Sequence, residues 1–72
     1  MQSDVPIRGD MIRLGQLLKL AGLIDAGGEA AAYLGSHTLR VNGELEARRG
    51  RQLHPGDEVV VGDTTIRVVA RG

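Results

Sequence analysis

An Asn-Gly dipeptide, Asn42-Gly43, is the feature that most constrains what this chain can fold into. It lies between two short runs that can form strands, Leu39–Val41 and residues 44–46. Both central positions of a type I′ turn need a positive φ, which glycine adopts freely and asparagine tolerates. The dipeptide therefore predicts a tight β-hairpin in the second half of the chain.

Three arginines, Arg48, Arg49 and Arg51, follow the hairpin, and Gly50 is a flexible break between them. Their planar guanidinium groups match phosphate oxygens in a bidentate geometry. A solvated loop is the alternative interpretation of such a cluster. We interpret the stretch over residues 39–57 as an RNA-binding edge that the remaining residues hold in place.

Length and composition predict one small domain with an aliphatic core. Seventy-two residues correspond to a single domain, without cysteine, phenylalanine or tryptophan and with Tyr33 as the one aromatic residue. Disulfides and thiolate zinc ligands are thereby excluded. Two histidines, His37 and His54, do not form a structural metal site by themselves, and we expect no cofactor.

The charges cancel in number but not in distribution, since nine basic residues stand against nine acidic ones. Residues 13–19 carry two positive charges and no negative one, and residues 37–55 carry four arginines against two glutamates. Each of these segments has a net charge of +2, whereas the rest of the chain is negative. The sequence therefore predicts two basic patches, which are compatible with a nucleic-acid partner.

The spacing of apolar residues predicts two helices. Leucines at positions 14, 17 and 18 and an alanine at position 21 share one face of a helix over residues 15–21, and Gly22 can end it in a left-handed conformation. A second helix is predicted over residues 27–36. Asp25 is a better N-cap for it than Ala26, because only Asp25 carries a side-chain acceptor.

The order of elements predicts an α+β domain of two packed N-terminal helices beside a small antiparallel sheet of short strands. Residues 1–10 are assigned to a flexible N-terminal tail with a short strand near residues 5–8, and residues 11–72 to the domain. After the hairpin, residues 58–61 and 64–69 predict a second antiparallel pair.

Five motifs occur in a fixed order over residues 11–69, which is nearly the whole chain. They are LGQLLKLAG at residues 14–22, GGEA at 27–30, RVNGE at 40–44, RRGR at 48–51 and PGD at 55–57. Each alone is a weak signal. Together they resemble the S4 RNA-binding domain, most of all the small stand-alone bacterial branch of that family (YbcJ-like).

The resemblance implies the same α+β fold and a basic surface, shared by the helices and the hairpin, that binds structured RNA. The residues at the matching positions are Arg13 and Lys19 on the first helix, Arg40 and Asn42 on the hairpin, and Arg48, Arg49 and Arg51 after it. For the two helix residues an ordinary polar face is the alternative. His54 is interpreted as an auxiliary phosphate contact.

The chain departs from the family pattern at three positions. Ala26 stands where the family often has serine, Ala31 where it often has lysine, and His54 where a basic residue is common. Each departure removes a polar or positively charged group from the implied surface. We therefore expect an RNA affinity below that usual for the family.

The scarcity of aromatic residues predicts the kind of RNA. Single strands are usually held by bases that stack on aromatic side chains, and Tyr33 lies on the apolar side of a helix. We therefore expect recognition of folded RNA, ribosomal or ribosome-associated, through phosphates, 2′-hydroxyls and shape. We expect a cytoplasmic, non-enzymatic monomer without a membrane segment or secretory signal, and an adaptor role with a protein partner stays open.

Two other interpretations belong to different classes of protein. Ser36-His37 has the residue types of a nucleophile and a base, but no acid is placed to orient the histidine, so a polar helix end is preferred. The segments VNGE and LHPGDEV also resemble β-grasp sulfur carriers of the ThiS type. Those carriers need a C-terminal Gly-Gly, whereas this chain ends with Arg71-Gly72. A small sulfur carrier or protein-interaction domain is the alternative to RNA binding.

Overall fold

The computed structural model describes residues 1–71, and these form short strands, two α-helices and a 3₁₀ turn. In chain order the elements are β1 (Gln2–Ile7), β2 (Ile12–Arg13), α1 (Leu14–Leu20), a 3₁₀ turn (Gly27–Glu29), α2 (Ala30–Ser36), β3 (Leu39–Val41), β4 (Glu44–Leu45), β5 (Gln52–Leu53), β6 (Glu58–Val61) and β7 (Thr64–Ala70).

The strands form one mixed sheet and one small antiparallel pair. The larger sheet has the order β1-β7-β6-β3-β4, in which β1 is parallel to β7 and the other neighbours are antiparallel. The smaller sheet pairs β2 with β5. The predicted α+β class is confirmed. The predicted order is wrong, because β1 and β2 precede α1 and the main sheet is mixed rather than antiparallel.

Strand β1 occupies most of the segment for which the sequence predicts a flexible tail. Along its length it pairs with β7, and the backbone N–H of Thr65 donates to the carbonyl oxygen of Met1 at 2.8 Å. The side chains of Val5 and Ile7 are buried in the core. The predicted short strand near residues 5–8 is therefore corrected to a six-residue strand of the main sheet.

One aliphatic cluster joins the helices to the main sheet, as the composition predicts. Alternate residues of β3, β6 and β7 are buried, which is the period of a strand with one covered face. The largest fully buried side chains are Leu14, Leu17, Leu18, Leu39, Leu53, Ile66, Val41, Val59 and Val68. Full burial of such a side chain stabilises the fold by about 1.5–3 kcal/mol. This cluster fixes α1 relative to the hairpin.

The helices differ from prediction mainly at their ends. Helix α1 begins one residue earlier than predicted, and Gly22 has φ +80°, as predicted for the residue that ends it. The predicted second helix is divided into the 3₁₀ turn and α2. The N-cap of the turn is Ala26 rather than Asp25. No side chain caps the turn; the carbonyl oxygen of extended Ala26 accepts from the N–H of Glu29 at 3.0 Å instead.

The hairpin prediction is confirmed. Asn42 has φ +51° and Gly43 has φ +86°, and Val41 pairs with Glu44 across the turn. Strand β4 ends at Leu45, one residue earlier than predicted, and the next residue, Glu46, is buried.

Candidate nucleic-acid interface

The segment with the three arginines, residues 46–51 (the arginine loop), is docked on the start of α1. The backbone N–H of Leu14 donates to the carbonyl oxygen of Arg51 at 2.8 Å, and that of Gly15 donates to the carbonyl oxygen of Arg49 at 2.9 Å. The first N–H groups of a helix have no partner within the helix, and Arg13 offers no side-chain cap. Carbonyl groups of the arginine loop accept hydrogen bonds from two of these N–H groups instead.

Gly15 allows this close contact because it has no Cβ. A Cβ at this position would lie 3.2 Å from the Cβ of Ala30 and 3.4 Å from the Cβ of Arg49. The starts of both helices and the arginine loop therefore meet at one glycine. A larger residue would push at least one of them away.

A depression of about 380 Å³ lies where these elements meet, and we call it the helix depression. Its lining combines three cations with small residues and one glutamine: Arg13, Lys19, Arg49, Gly15, Gly27, Gly50, Ala30 and Gln16. The guanidinium Nη1 of Arg13 donates to the carbonyl oxygen of Gly50 at 3.4 Å. Within residues 1–71, none of the three cations forms an ion pair.

A second depression of about 560 Å³, the loop depression, borders the helix depression at Gly50. It is lined by Arg48, Gly50, Arg51, Gln52 and His54. The two depressions share Gly50 and together contain six of the eight residues predicted to contact RNA. The two basic segments that are separate in sequence thus form one continuous surface.

Glu46 is the centre of the arginine loop, and its side chain is only 5% exposed. Its Oε2 accepts from the backbone N–H groups of Ala47 and Arg48 and from Nε of Arg48, each at 3.1 Å. Its Oε1 accepts from Nη2 of Arg48 at 3.3 Å and from Nη1 of Arg51 at 2.8 Å. The loop is therefore folded around a buried carboxylate.

These contacts change the acidity of Glu46. Hydrogen bonds from Arg48 and then Arg51 lower its pKa from 4.5 to about 2, and they outweigh burial, which acts in the opposite direction. The carboxylate is consequently charged at neutral pH. It offsets part of the positive charge of the two arginines that hold it.

The two remaining predicted contacts, Arg40 and Asn42, lie on the hairpin and outside the lining of both depressions. Nη1 of Arg40 donates to the carbonyl oxygen of Gly43 at 3.2 Å. Nδ2 of Asn42 donates to Oδ1 of Asp57 at 3.1 Å, and its Oδ1 accepts from the backbone N–H of Glu58 at 2.9 Å. The Asn42 side chain therefore ties the hairpin turn to the next turn of the chain.

His54 lines the loop depression and also begins that next turn. Its backbone N–H donates to Oδ2 of Asp57 at 2.7 Å, and its Nδ1 lies 3.8 Å from the same oxygen. Burial raises the pKa of Asp57, but hydrogen bonds from His54 and Asn42 outweigh burial, so the pKa is lower than usual. The His54 ring itself is mostly exposed, so it can reach a ligand.

Sequence reasoning missed Glu46 and Gly15 as parts of this site. Glu46 follows a strand on a hairpin and has the sequence context of an ordinary exposed acid. Its position two residues before Arg48 and five before Arg51 is a signal, since an acid so close in sequence can be enclosed by both guanidinium groups. For Gly15, the close approach depends on contacts far along the chain.

Ser36 and His37, which have the residue types of a nucleophile and a base, lie at the end of α2. Oγ of Ser36 lies 2.9 Å from Nδ1 of His37, but the same Nδ1 lies 3.0 Å from the carbonyl oxygen of Tyr33 at the end of α2. Within residues 1–71, no group of three His, Cys, Asp or Glu side chains could hold a metal ion. No helix in that range is long and apolar enough to cross a membrane.

The mixed sheet, the two helices and the basic loop on the first helix agree with the S4-type fold that the five motifs imply. This chain belongs to the S4 domain family, whose family profile, described as "S4 domain", matches residues 5–69. The probable ribosome maturation protein RlbA of Bacillus subtilis (strain 168) is 46% identical over 61 residues, which cover 85% of this chain and 86% of that relative. The resemblance inferred from the five motifs is confirmed. Gly72, at the position where the sulfur-carrier alternative needs the second residue of a Gly-Gly pair, lies outside the described residues.

Proposed function

We propose that this chain is a non-enzymatic protein that binds structured RNA through the arginine loop and the adjacent face of α1. The observation that carries the proposal is the docking of the loop on α1, through the backbone groups of Leu14 and Gly15. This contact joins the two basic segments into one surface. Membership of the S4 domain family supports RNA as the partner.

The helix depression is the part of this surface best suited to phosphate. Arg13, Lys19 and Arg49 stand around it without ion-pair partners within residues 1–71, so their charge is available to a ligand. The rest of its lining is Gln16 and four small residues, Gly15, Gly27, Gly50 and Ala30. With on the order of four to six phosphate contacts, the log–log salt dependence of affinity has a slope of roughly −4 to −5.

The surface favours folded RNA over an extended single strand. The half-buried ring of Tyr33 stacks on the ring of His37, with centroids 4.0 Å apart, and it lines neither depression. Bases of a single strand therefore have no aromatic platform on the basic surface. Phosphates, 2′-hydroxyls and the shape of a helix remain as features that this surface can recognise.

We propose ribosomal RNA as the target and ribosome maturation in the cytoplasm as the setting. The name of the similar Bacillus subtilis protein supports this setting. The chain acts as a monomer in this proposal, since the cationic surface is complete within one copy. We also propose that Arg40 on the hairpin contacts a phosphate beyond the two depressions.

The proposal is tested by titrating the protein with a fluorescein-labelled ribosomal RNA stem-loop and with a single-stranded RNA of the same length. We expect tighter binding of the stem-loop. Arg49→Gln is expected to weaken binding and to reduce the magnitude of the salt slope by about 1, which is the effect of losing one phosphate contact. Arg8→Gln removes the same charge outside both depressions and is the matched control. Equal effects of the two substitutions would contradict the proposed surface.

A further inference from the structure

We infer that Glu46 is a positioning residue for RNA binding, which holds Arg48 and Arg51 in the orientation in which they meet phosphates. The inference rests on the proposed RNA-binding function and extends it to an acid that cannot itself contact RNA favourably. An acid bound to two arginines of a phosphate-binding surface would weaken binding if charge alone mattered. Its contacts indicate a different role.

Both oxygens of the Glu46 carboxylate are hydrogen-bonded within the protein. Five donors surround it, two from the backbone and three from guanidinium groups, and both of its oxygens accept at least two hydrogen bonds. The side chain is 5% exposed, so a phosphate on the surface does not meet it directly. Both arginines that hold it are more exposed than the carboxylate.

The same contacts leave the outer side of the arginines open. A guanidinium group has five N–H donors, and Arg48 gives Glu46 only one from Nε and one from Nη2. Its side chain is still 78% exposed. Arg51 gives one donor from Nη1 and is 30% exposed. Both can therefore bind Glu46 on one side and a phosphate on the other.

The carboxylate also fixes the backbone of the arginine loop. The N–H groups of Ala47 and Arg48 are bound to Glu46 at the beginning of the loop, and the carbonyl groups of Arg49 and Arg51 are bound to α1 in the second half of the loop. Long side chains and loops lose conformational freedom when a ligand immobilises them. Here much of that loss occurs on folding, so it does not weaken the later binding of RNA.

Removing the negative charge of Glu46 should change RNA affinity in opposite directions under the two explanations, positioning and simple electrostatics. Glu46→Gln and Glu44→Gln each remove one negative charge from the same short stretch, and Glu44 is exposed and forms no ion pair within residues 1–71. If charge alone mattered, both variants would bind the labelled stem-loop more tightly. We expect Glu44→Gln to bind as tightly as the wild type or more tightly, and Glu46→Gln to bind about threefold to tenfold more weakly, because two arginine side chains lose their orientation.

Three outcomes are distinguishable. If the wild type binds and Glu46→Gln binds at least as tightly as Glu44→Gln, the positioning role is overturned and the proposed function stands. If the wild type does not bind the stem-loop, the proposed function fails and this inference fails with it. If Glu46→Gln alone binds more weakly while its backbone amide spectrum stays folded, the inference is supported.

A spectroscopic readout keeps the inference testable if Glu46→Gln does not fold. In the wild type the Nε–H signal of Arg48 is expected to exchange with water more slowly than that of Arg49, and to keep its shifted position when the stem-loop is bound. An Arg48 signal that exchanges as fast as that of Arg49, or that moves to the position of a free arginine in the complex, overturns the inference. The second result would mean that RNA displaces Glu46 as a partner.

Discussion

The backbone N–H of Gly15 donates to the carbonyl oxygen of Arg49 across 2.9 Å, so the second residue of α1 and the middle of the arginine loop form one unit. The bond replaces a side-chain cap at the start of the helix. It also brings cations from two segments of the sequence around one depression. Local folding and the proposed function thus depend on the same contact.

Gly15→Val is expected to separate the loop from the helix. The new side chain would meet Ala30 and Arg49 at distances already tight for a single Cβ, and overpacking of this kind destabilises by about 1–3 kcal/mol. Gly35→Val is the matched control in α2, because a Cβ placed there meets no described atom within 4 Å apart from its chain neighbours and the backbone of its own helix. The free energy of unfolding in urea and the affinity for the stem-loop should both fall for Gly15→Val alone. An equal loss in both variants would contradict the close-contact explanation.

Arg51→Gln is expected to lower the free energy of unfolding, whereas Arg49→Gln is expected to leave it nearly unchanged. Both remove one positive charge, but Arg51 is the 2.8 Å partner of buried Glu46, whereas Arg49 has no ion-pair partner within residues 1–71. A buried carboxylate that loses a partner destabilises by about 1–3 kcal/mol. Chemical denaturation should show this loss for Arg51→Gln and a change within about 0.5 kcal/mol for Arg49→Gln. If Arg51→Gln were equally neutral, Arg48 alone would be sufficient to stabilise the buried Glu46 carboxylate.

Asn42→Gly is expected to lower stability while leaving RNA affinity unchanged. Glycine adopts the φ of +51° at this turn but lacks the side chain that bonds to Asp57 and to the N–H of Glu58. The loss of these bonds should destabilise by about 1–2 kcal/mol in thermal unfolding. A stem-loop titration at a temperature where the variant is folded then measures affinity. Weaker binding there would assign Asn42 a direct RNA contact.

Acid should destabilise the wild type more than Glu46→Gln. Because folding lowers the Glu46 pKa from 4.5 to about 2, the unfolded chain takes up this proton at a higher pH than the folded chain. The stabilisation is present above pH 4.5 and is lost as pH falls toward about 2. Asp57, whose pKa is also lowered, contributes the same trend in both proteins. Urea midpoints measured across this interval should fall more steeply for the wild type; parallel curves would contradict the lowered pKa.

The elements predicted well from the sequence are those with a local cause. Asn42-Gly43 predicts its turn because the required φ values belong to those two residues, and Gly22 ends α1 for the same reason. Strand β1 was predicted only as a short strand near residues 5–8, because its parallel partner is at the other end of the chain and because Pro6 makes a strand less expected. Proline is nevertheless compatible with β1, which is an edge strand.

For the candidate site, the sequence predicted which cations lie together but not how they are paired. Six of the eight residues chosen by charge, motif and resemblance line the two depressions, because clusters of arginine are visible in a sequence. Which cations are paired was not visible, since pairing depends on how the loop folds. Glu46 and Gly15 were missed because their roles arise from burial and close packing.

The parallel pairing of β1 with β7 has a consequence for the order of folding. Its register joins Gln2 to Thr65 and Ile7 to Ala70, so these contacts span nearly the whole described chain. A contact between distant residues forms only after a large loss of chain entropy, whereas the hairpins close locally. During synthesis β1 emerges long before its partner. Val5 and Ile7 therefore stay uncovered until β7 has left the exit tunnel, and in that interval the nascent chain is most exposed to mispairing.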